Sequence, residues 1–125
     1  MNSDKVIGET MKEFTEDWYD HQYFADEKGK KFTRANGTVE HWGYRSPTGD
    51  IRGADLIVKA WKTMFNPKTM LDVGAGRGTM LAYARDAQIQ ACGFDWSKWA
   101  VSKGRFSRCE AHWLTCHDAT KDWPY

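Results

Sequence analysis

The sequence predicts an α/β fold, a partial three-layer sandwich in one compact domain. A βαβαβ unit, residues 67–125, follows a helical and aromatic N-terminal segment, residues 1–66. Three observations carry this. The short apolar run Met70-Leu71-Asp72-Val73 leads into Gly74-Ala75-Gly76-Arg77-Gly78 and then into a segment with helical character. A second mostly apolar run, residues 89–96, reaches an acid at Asp95, and a third, residues 111–116, is followed by Asp118. Strands alternating with helical stretches and Gly-rich turns are the pattern of parallel βαβ units.

Taken in order, Ile7, Met11, Phe14 and Trp18 recur at helical spacing and form one apolar stripe. Residues 19–53 hold Gly29, Gly37, Gly43, Pro47, Gly49 and Gly53 among polar and aromatic positions, which is loop chemistry. Helical spacing returns over 54–65 through Ile57, Ala60, Trp61 and Met64, and Asn66-Pro67 ends it. Two helices therefore precede the first strand. A helix over 78–87 follows the glycine turn. Ser97 suits the N-cap of a helix through Trp99, Ala100 and Val101, with Gly104 at its end.

Composition excludes several classes. A chain of 125 residues holds one ordinary core, and a net charge of +1 gives no specific nucleic-acid signal. No run reaches a membrane span, and the opening residues lack the apolar region of a signal peptide. Three cysteines fit reduced thiols better than a disulfide framework, so a soluble, cytoplasmic protein without a membrane partner is expected. Cys109, His112, Cys116 and His117 have zinc-like spacing. On a strand over 111–116, however, His112 and Cys116 share one face and His117 takes the other, so no metal site is expected.

The glycines specify a ligand class. Glycine admits positive φ and leaves no Cβ in the way, and the helix that follows offers free N–H groups. A dinucleotide fingerprint reads G-x-G-x-x-G/A, whereas here Gly74, Gly76 and Gly78 alternate and Thr79 stands three after Gly76. No Gly-Lys-Ser/Thr follows, which excludes a P-loop. Asp72, at the strand end, suits a cation better than a pyrophosphate. Asp95 follows Gly74 by 21 positions, and the carboxyl ends of parallel neighbours line one crevice. A carboxylate there can accept hydrogen bonds from ribose hydroxyls. NAD enzymes share that device, so Asp95 marks a nucleoside without choosing among nucleosides. Trp96 can lie against a purine or serve as an ordinary core or surface aromatic. Asp118 can read a ligand or simply form a turn.

From Asp72 to Gly78 the chain resembles the first motif, D/E-x-G-x-G-x-G, of the class I S-adenosylmethionine-dependent methyltransferases, a Rossmann-like family. The resemblance implies S-adenosylmethionine as cofactor, S-adenosylhomocysteine as product and methyl transfer to an unknown acceptor. It places Asp72 near the cationic methionyl end and Gly74, Ala75, Gly76 and Gly78 along the cofactor. It also places Asp95 on the ribose and Trp96 by the adenine, with Asp118 accepting from the adenine amine and the Ala119 N–H on a ring nitrogen. An arginine ahead of the first motif binds the cofactor carboxylate in some related enzymes, which nominates Arg52. Tyr19, Tyr23, Phe24, His41, Trp42, Tyr44 and Arg45 can fold over the cofactor or contact the acceptor. For any single one, packing of the helices onto the sheet is the favoured reading. No catalytic residue is assigned, since the protein's part in such a reaction is orientation and a water-poor site.

The resemblance covers residues 69–125, three strands of a seven-stranded methyltransferase sheet, and stops before the fourth, which lies beside the first. A truncated form is therefore expected. Asp122-Trp123-Pro124-Tyr125 is similar to the D/N-P-P-Y/F motif of amino-group methyltransferases, but follows Asp118 too closely for another strand. A lone monomer should be a poor methyltransferase. Its open first strand should recruit a second copy into a homodimer, by edge pairing or by exchange of an N-terminal helix. A non-catalytic cofactor-binding or interaction module is the alternative, with a NAD- or FAD-dependent oxidoreductase disfavoured by Thr79 and Asp72. Asp95→Ala should weaken cofactor binding by about 1–3 kcal/mol while leaving the unliganded thermal midpoint nearly unchanged. Asp118→Ala should cost less.

Overall fold

The computed structural model describes residues 15–125. The expected helix through Ile7, Met11 and Phe14 lies outside the described residues, and Trp18 closes a turn, its N–H donating to Thr15 O at 3.0 Å. Helix α1 (His21–Phe24) begins where the Asp20 carboxylate caps the N–H groups of Gln22 and Tyr23 at 3.1 and 3.3 Å. Strands β1 (Lys30–Thr33) and β2 (Val39–Trp42) then form an antiparallel hairpin with Phe32 opposite Glu40. The region read as loop thus contains a helical turn and a hairpin. Stacking of Phe32 on Trp42, with centroids 4.6 Å apart, and the Arg34–Glu40 ion pair at 3.0 Å hold the hairpin together.

Helix α2 (Ala54–Phe65) has the expected bounds, and Asn66 ends it in a left-handed conformation with its N–H on Lys62 O. Strand β3 (Thr69–Val73) enters the glycine loop, helix α3 (Thr79–Asp86) leaves it, and strand β4 (Gln90–Asp95) pairs in parallel with β3. Helix α4 (Lys98–Val101) is capped by Ser97 as expected, the hydroxyl accepting from Ala100 N at 3.0 Å. The third strand is shorter than expected. Residues Ala111–Trp113 form a 3-10 turn, closed by Trp113 N–H on Glu110 O at 3.1 Å, and only β5 (Leu114–Cys116) pairs with β4. The argument that His112 and Cys116 share a strand face therefore fails: His112 is off the strand, 3.5 Å from the Glu110 carboxylate.

The sheet order is β3-β4-β5, a partial Rossmann-like arrangement. Alternation along β4 sends Ala91 into a buried cluster with Val58 of α2, Leu81 and Ala84 of α3, Ile89 and Leu114. Phe94 points to the opposite face and is fully buried there. Rings of His117, Trp123 and Tyr125, at 5.3, 5.5 and 6.2 Å, cover Phe94 where a layered sandwich would bring a helix. Leu71 and Val73 remain exposed, and among the described residues no strand pairs with the outer edge of β3. No helix among the described residues is long and apolar enough to cross a membrane.

Candidate functional site

The glycine loop is a tight turn laid back onto β4. The N–H groups of Gly74 and Ala75 both donate to Phe94 O, at 2.9 and 3.0 Å, and Gly74 and Gly76 hold φ of 76° and 58°. A Cβ on Gly74 would meet nothing within 4 Å, so the backbone conformation is what calls for glycine and the space above the loop is open. Gly78 differs. A Cβ there would lie 2.4 Å from Cys109 Sγ, so this glycine lets α3 pack closely and lines no part of the crevice.

Asp95 sits at the end of β4, as the spacing predicts. One carboxylate oxygen accepts the Gly76 N–H and the other the Ser97 N–H, each at 2.8 Å. This counts against the expectation that Asp95→Ala leaves the unliganded thermal midpoint nearly unchanged, because the carboxylate fixes both the glycine loop and the start of α4. A carboxylate has about four acceptor positions, so capacity remains for a ligand. Asp72, near the end of β3, is half-buried. Burial first and the charge of Asp95 second raise its carboxyl above the usual carboxylate range.

Over the loop lies a crevice of two adjoining lobes of about 220 and 160 Å³. Each is below the roughly 300 Å³ of a typical small-molecule site, and they share Phe24, Tyr44, Gly74 and Gly76. The first lobe is aromatic, with Tyr19, Tyr23, Phe94, Asp95, Trp96, His117 and Ala119. Burial and the nearby charge of Asp95 raise the Tyr19 and Tyr23 phenols, which stay protonated and can donate. The second lobe carries Asp72, Ala75, Arg77, Thr79, Ser46 and Ile51.

The structure thus brings Asp72, Gly74, Ala75, Gly76, Asp95, Trp96 and Ala119 to one crevice. Asp118 stays outside its lining. The Asp118 carboxylate accepts both the N–H and the hydroxyl of Thr120, at 2.8 and 2.7 Å, which lowers its carboxyl below the usual range. Arg52 is exposed and lines neither lobe. Of the aromatic-segment candidates, Tyr19, Tyr23, Phe24 and Tyr44 form a wall of the crevice, whereas His41, Trp42 and Arg45 belong to the hairpin, Arg45 donating to His41 O at 2.8 Å. That wall is tied to α1 by Tyr44 N–H on Tyr23 O and Ser46 N–H on Phe24 O, at 2.9 and 3.0 Å. A Cβ at Gly43 would fall 2.0 Å from Tyr23 O, so the approach requires glycine.

Arg77 and Thr79 were missed as site residues. The Arg77 guanidinium donates to Ser46 O at 2.6 Å and to Gly104 O, and lies 5.2 Å from the Trp99 ring centroid. The Thr79 hydroxyl donates to Gly49 O. A readable signal existed for Arg77: nothing in the geometry of a glycine turn asks for a long cation between its second and third glycines.

A family model described as a methyltransferase domain matches residues 41–123, more than half of the chain. No curated protein matches it.

Proposed function

We propose that this chain, which belongs to the methyltransferase-domain family, binds S-adenosylmethionine in the two-lobed crevice and serves methyl transfer to an acceptor. The observation that carries this reading is Asp95, which lines the aromatic lobe and is held by the N–H groups of Ser97 and of Gly76, a residue that both lobes share. The residues fit the cofactor: the space over Gly74 is open, and the donors and acceptors suit a nucleoside at one end and a charged group at the other. Asp95 would accept the ribose hydroxyls, and Trp96, His117 and Ala119 would flank the base. The Gly74–Gly76 main chain and Asp72 would meet the methionyl end. Asp118 spends one carboxylate oxygen on both bonds to Thr120 and would offer the other to the adenine amine, although it lines neither lobe.

When bound, the cofactor supplies an electrophilic methyl group on a sulfonium, open to in-line displacement. The chain's own contribution is orientation and exclusion of water by Tyr23, Phe24 and Tyr44. A cation beside Asp72 would favour its ionised form. Calorimetric titration with S-adenosylmethionine, S-adenosylhomocysteine and NAD tests the reading. Saturable binding of the first two is expected, and saturable binding of NAD alone contradicts it.

The open edge of β3 suits pairing with a second copy. In a parallel ladder alternate residues turn their N–H and C=O outward, which at β3 leaves Thr69, Leu71 and Val73 facing away from β4. Light scattering over a concentration series should show self-association that Leu71→Lys reduces. A strictly monomeric protein at all concentrations would reject it.

A further inference from the structure

Between β2 and α2 the chain runs as an irregular strap that lines the second lobe with Ser46, Gly49 and Ile51. It is exposed at Pro47, Thr48 and Asp50 and buried at Gly49. Its acceptors are met by donors from the sheet unit. Arg77 donates to Ser46 O at 2.6 Å, the Thr79 hydroxyl to Gly49 O, and the Tyr83 hydroxyl to the Asp50 carboxylate at 2.9 Å. Both ends of the strap have left-handed backbone, with φ of 54° at Arg45 and 82° at Gly53. That conformation strains Arg45, and a Cβ on Gly53 would meet nothing within 4 Å, so the second end has room to turn. An exposed, irregular segment held by side-chain bonds belongs to the low-stability end of a fold, which opens locally.

The crevice under the strap is pinched. Phe24 and Gly76 line both lobes, and Phe24 Cε1 stands 3.4 Å from the point a Cβ on Gly76 would occupy. That point is one carbon–carbon bond, about 1.5 Å, from the main chain. A ligand carbon between two surfaces needs about 7 Å, a contact distance on each side. No ligand atom fits between that ring and the loop. Phe24 is also tied to the strap: its carbonyl accepts the Ser46 N–H at 3.0 Å, and its ring stacks on Tyr44 at 5.7 Å.

We propose that residues 46–52 are a lid on the crevice, latched by Arg77, Thr79 and Tyr83 and turning about Arg45 and Gly53, which opens for a ligand spanning both lobes to enter or leave. The inference rests on the adenosyl reading above and adds how that site is reached. The latch bonds join protein to protein, so they hold the lid in the free and the loaded protein alike. Weakening one raises the open fraction of both by the same factor. Association and dissociation then quicken together and Kd holds, which a distorted site would not do.

The test uses Tyr83→Phe, which deletes one hydroxyl outside both lobes, and stopped-flow tryptophan fluorescence of the full chain with S-adenosylhomocysteine. Both rate constants should rise about 2- to 10-fold, the scale of one net hydrogen bond, with Kd unchanged. Asp50→Ala should do the same from the strap side, and the double variant should add little, since both changes remove the same bond. Amide hydrogen exchange of the unliganded protein checks the motion without a ligand: residues 46–52 should exchange faster in Tyr83→Phe while β4 holds. Saturable binding with unchanged rates and unchanged exchange in Tyr83→Phe overturns the lid and leaves the adenosyl reading intact. Faster dissociation alone, with Kd weakened in step, makes the hydroxyl a support of the site's shape and also overturns the lid. Failure of S-adenosylhomocysteine to bind the unmodified protein overturns the proposed function and the inference with it.

Discussion

The sheet unit and the segment that covers it are held by different forces. Strands β3, β4 and β5 share a parallel ladder over an aliphatic cluster that includes Val58, Leu81 and Ile89. Residues 15–53 instead rest on rings and on side chains reaching out from the sheet unit. A column runs from Tyr44 to Phe24 to Trp99 to Arg77, with separations of 5.7, 6.1 and 5.2 Å. The hydroxyls of Thr79 and Ser97 donate to Gly49 O and Tyr19 O, and Arg77 donates to Ser46 O. The difference shows that the turn residues have two tasks: they shape the floor of the crevice and they fasten its wall. Position on the page of the sequence separates these tasks, but the fold joins them in the same few side chains.

The largest effect should come from the sheet unit. Leu81 is fully buried, and Leu81→Ala should destabilise the protein by about 2–5 kcal/mol in chemical denaturation, loosening sheet and cover together. A loss confined to the cover would break the distinction. Asp95→Ala spans both regions. It should weaken binding of S-adenosylhomocysteine by about 1–3 kcal/mol and also lower the unliganded thermal midpoint, because the Gly76 and Ser97 N–H groups lose their acceptor.

Thr79→Val removes the donor to Gly49 O and should cost about 1 kcal/mol. Hydrogen exchange should quicken around residues 44–51 while protection of β4 holds, and uniform loss would show that the cover has no independent stability. The smallest shift belongs to Asp72→Asn. The folded carboxyl is raised by burial and by Asp95, so its stabilising neutral form is present at low pH and lost as pH rises through the raised value. At pH 7 the ionised group is a burden. Asp72→Asn should therefore raise the unliganded midpoint at neutral pH, lose that advantage in acid, and weaken cofactor binding. A lower midpoint at pH 7, measured by scanning fluorimetry, contradicts the sign.

What was legible in the sequence was local chemistry. The bounds of α2, the Ser97 cap and the glycine turn depend on neighbours a few residues apart, and each can be read from a short window. Asp95 was legible because a βαβ unit fixes the distance between successive strand ends. The hairpin was not. Its strands have four residues each, only Phe32 is buried among them, and the Phe32–Trp42 stack is a pairing that no short window displays. Arg77 escaped for a related reason: its acceptors Ser46 and Gly104 lie 31 and 27 residues away in opposite directions along the chain. Asp118 lies outside the lining of both lobes, and Thr120, two residues on, engages one oxygen of its carboxylate, a local turn that the strand-end pattern does not display.

The most direct test is a backbone amide NMR titration of the full chain with S-adenosylhomocysteine. Binding in the two-lobed crevice predicts saturable shifts at residues 74–77, 95–97, 117–119 and 44–46, with the outward side of α2 unmoved. Saturable binding that leaves the amides of Gly74, Gly76 and Asp95 unperturbed would place the ligand elsewhere and contradict the account.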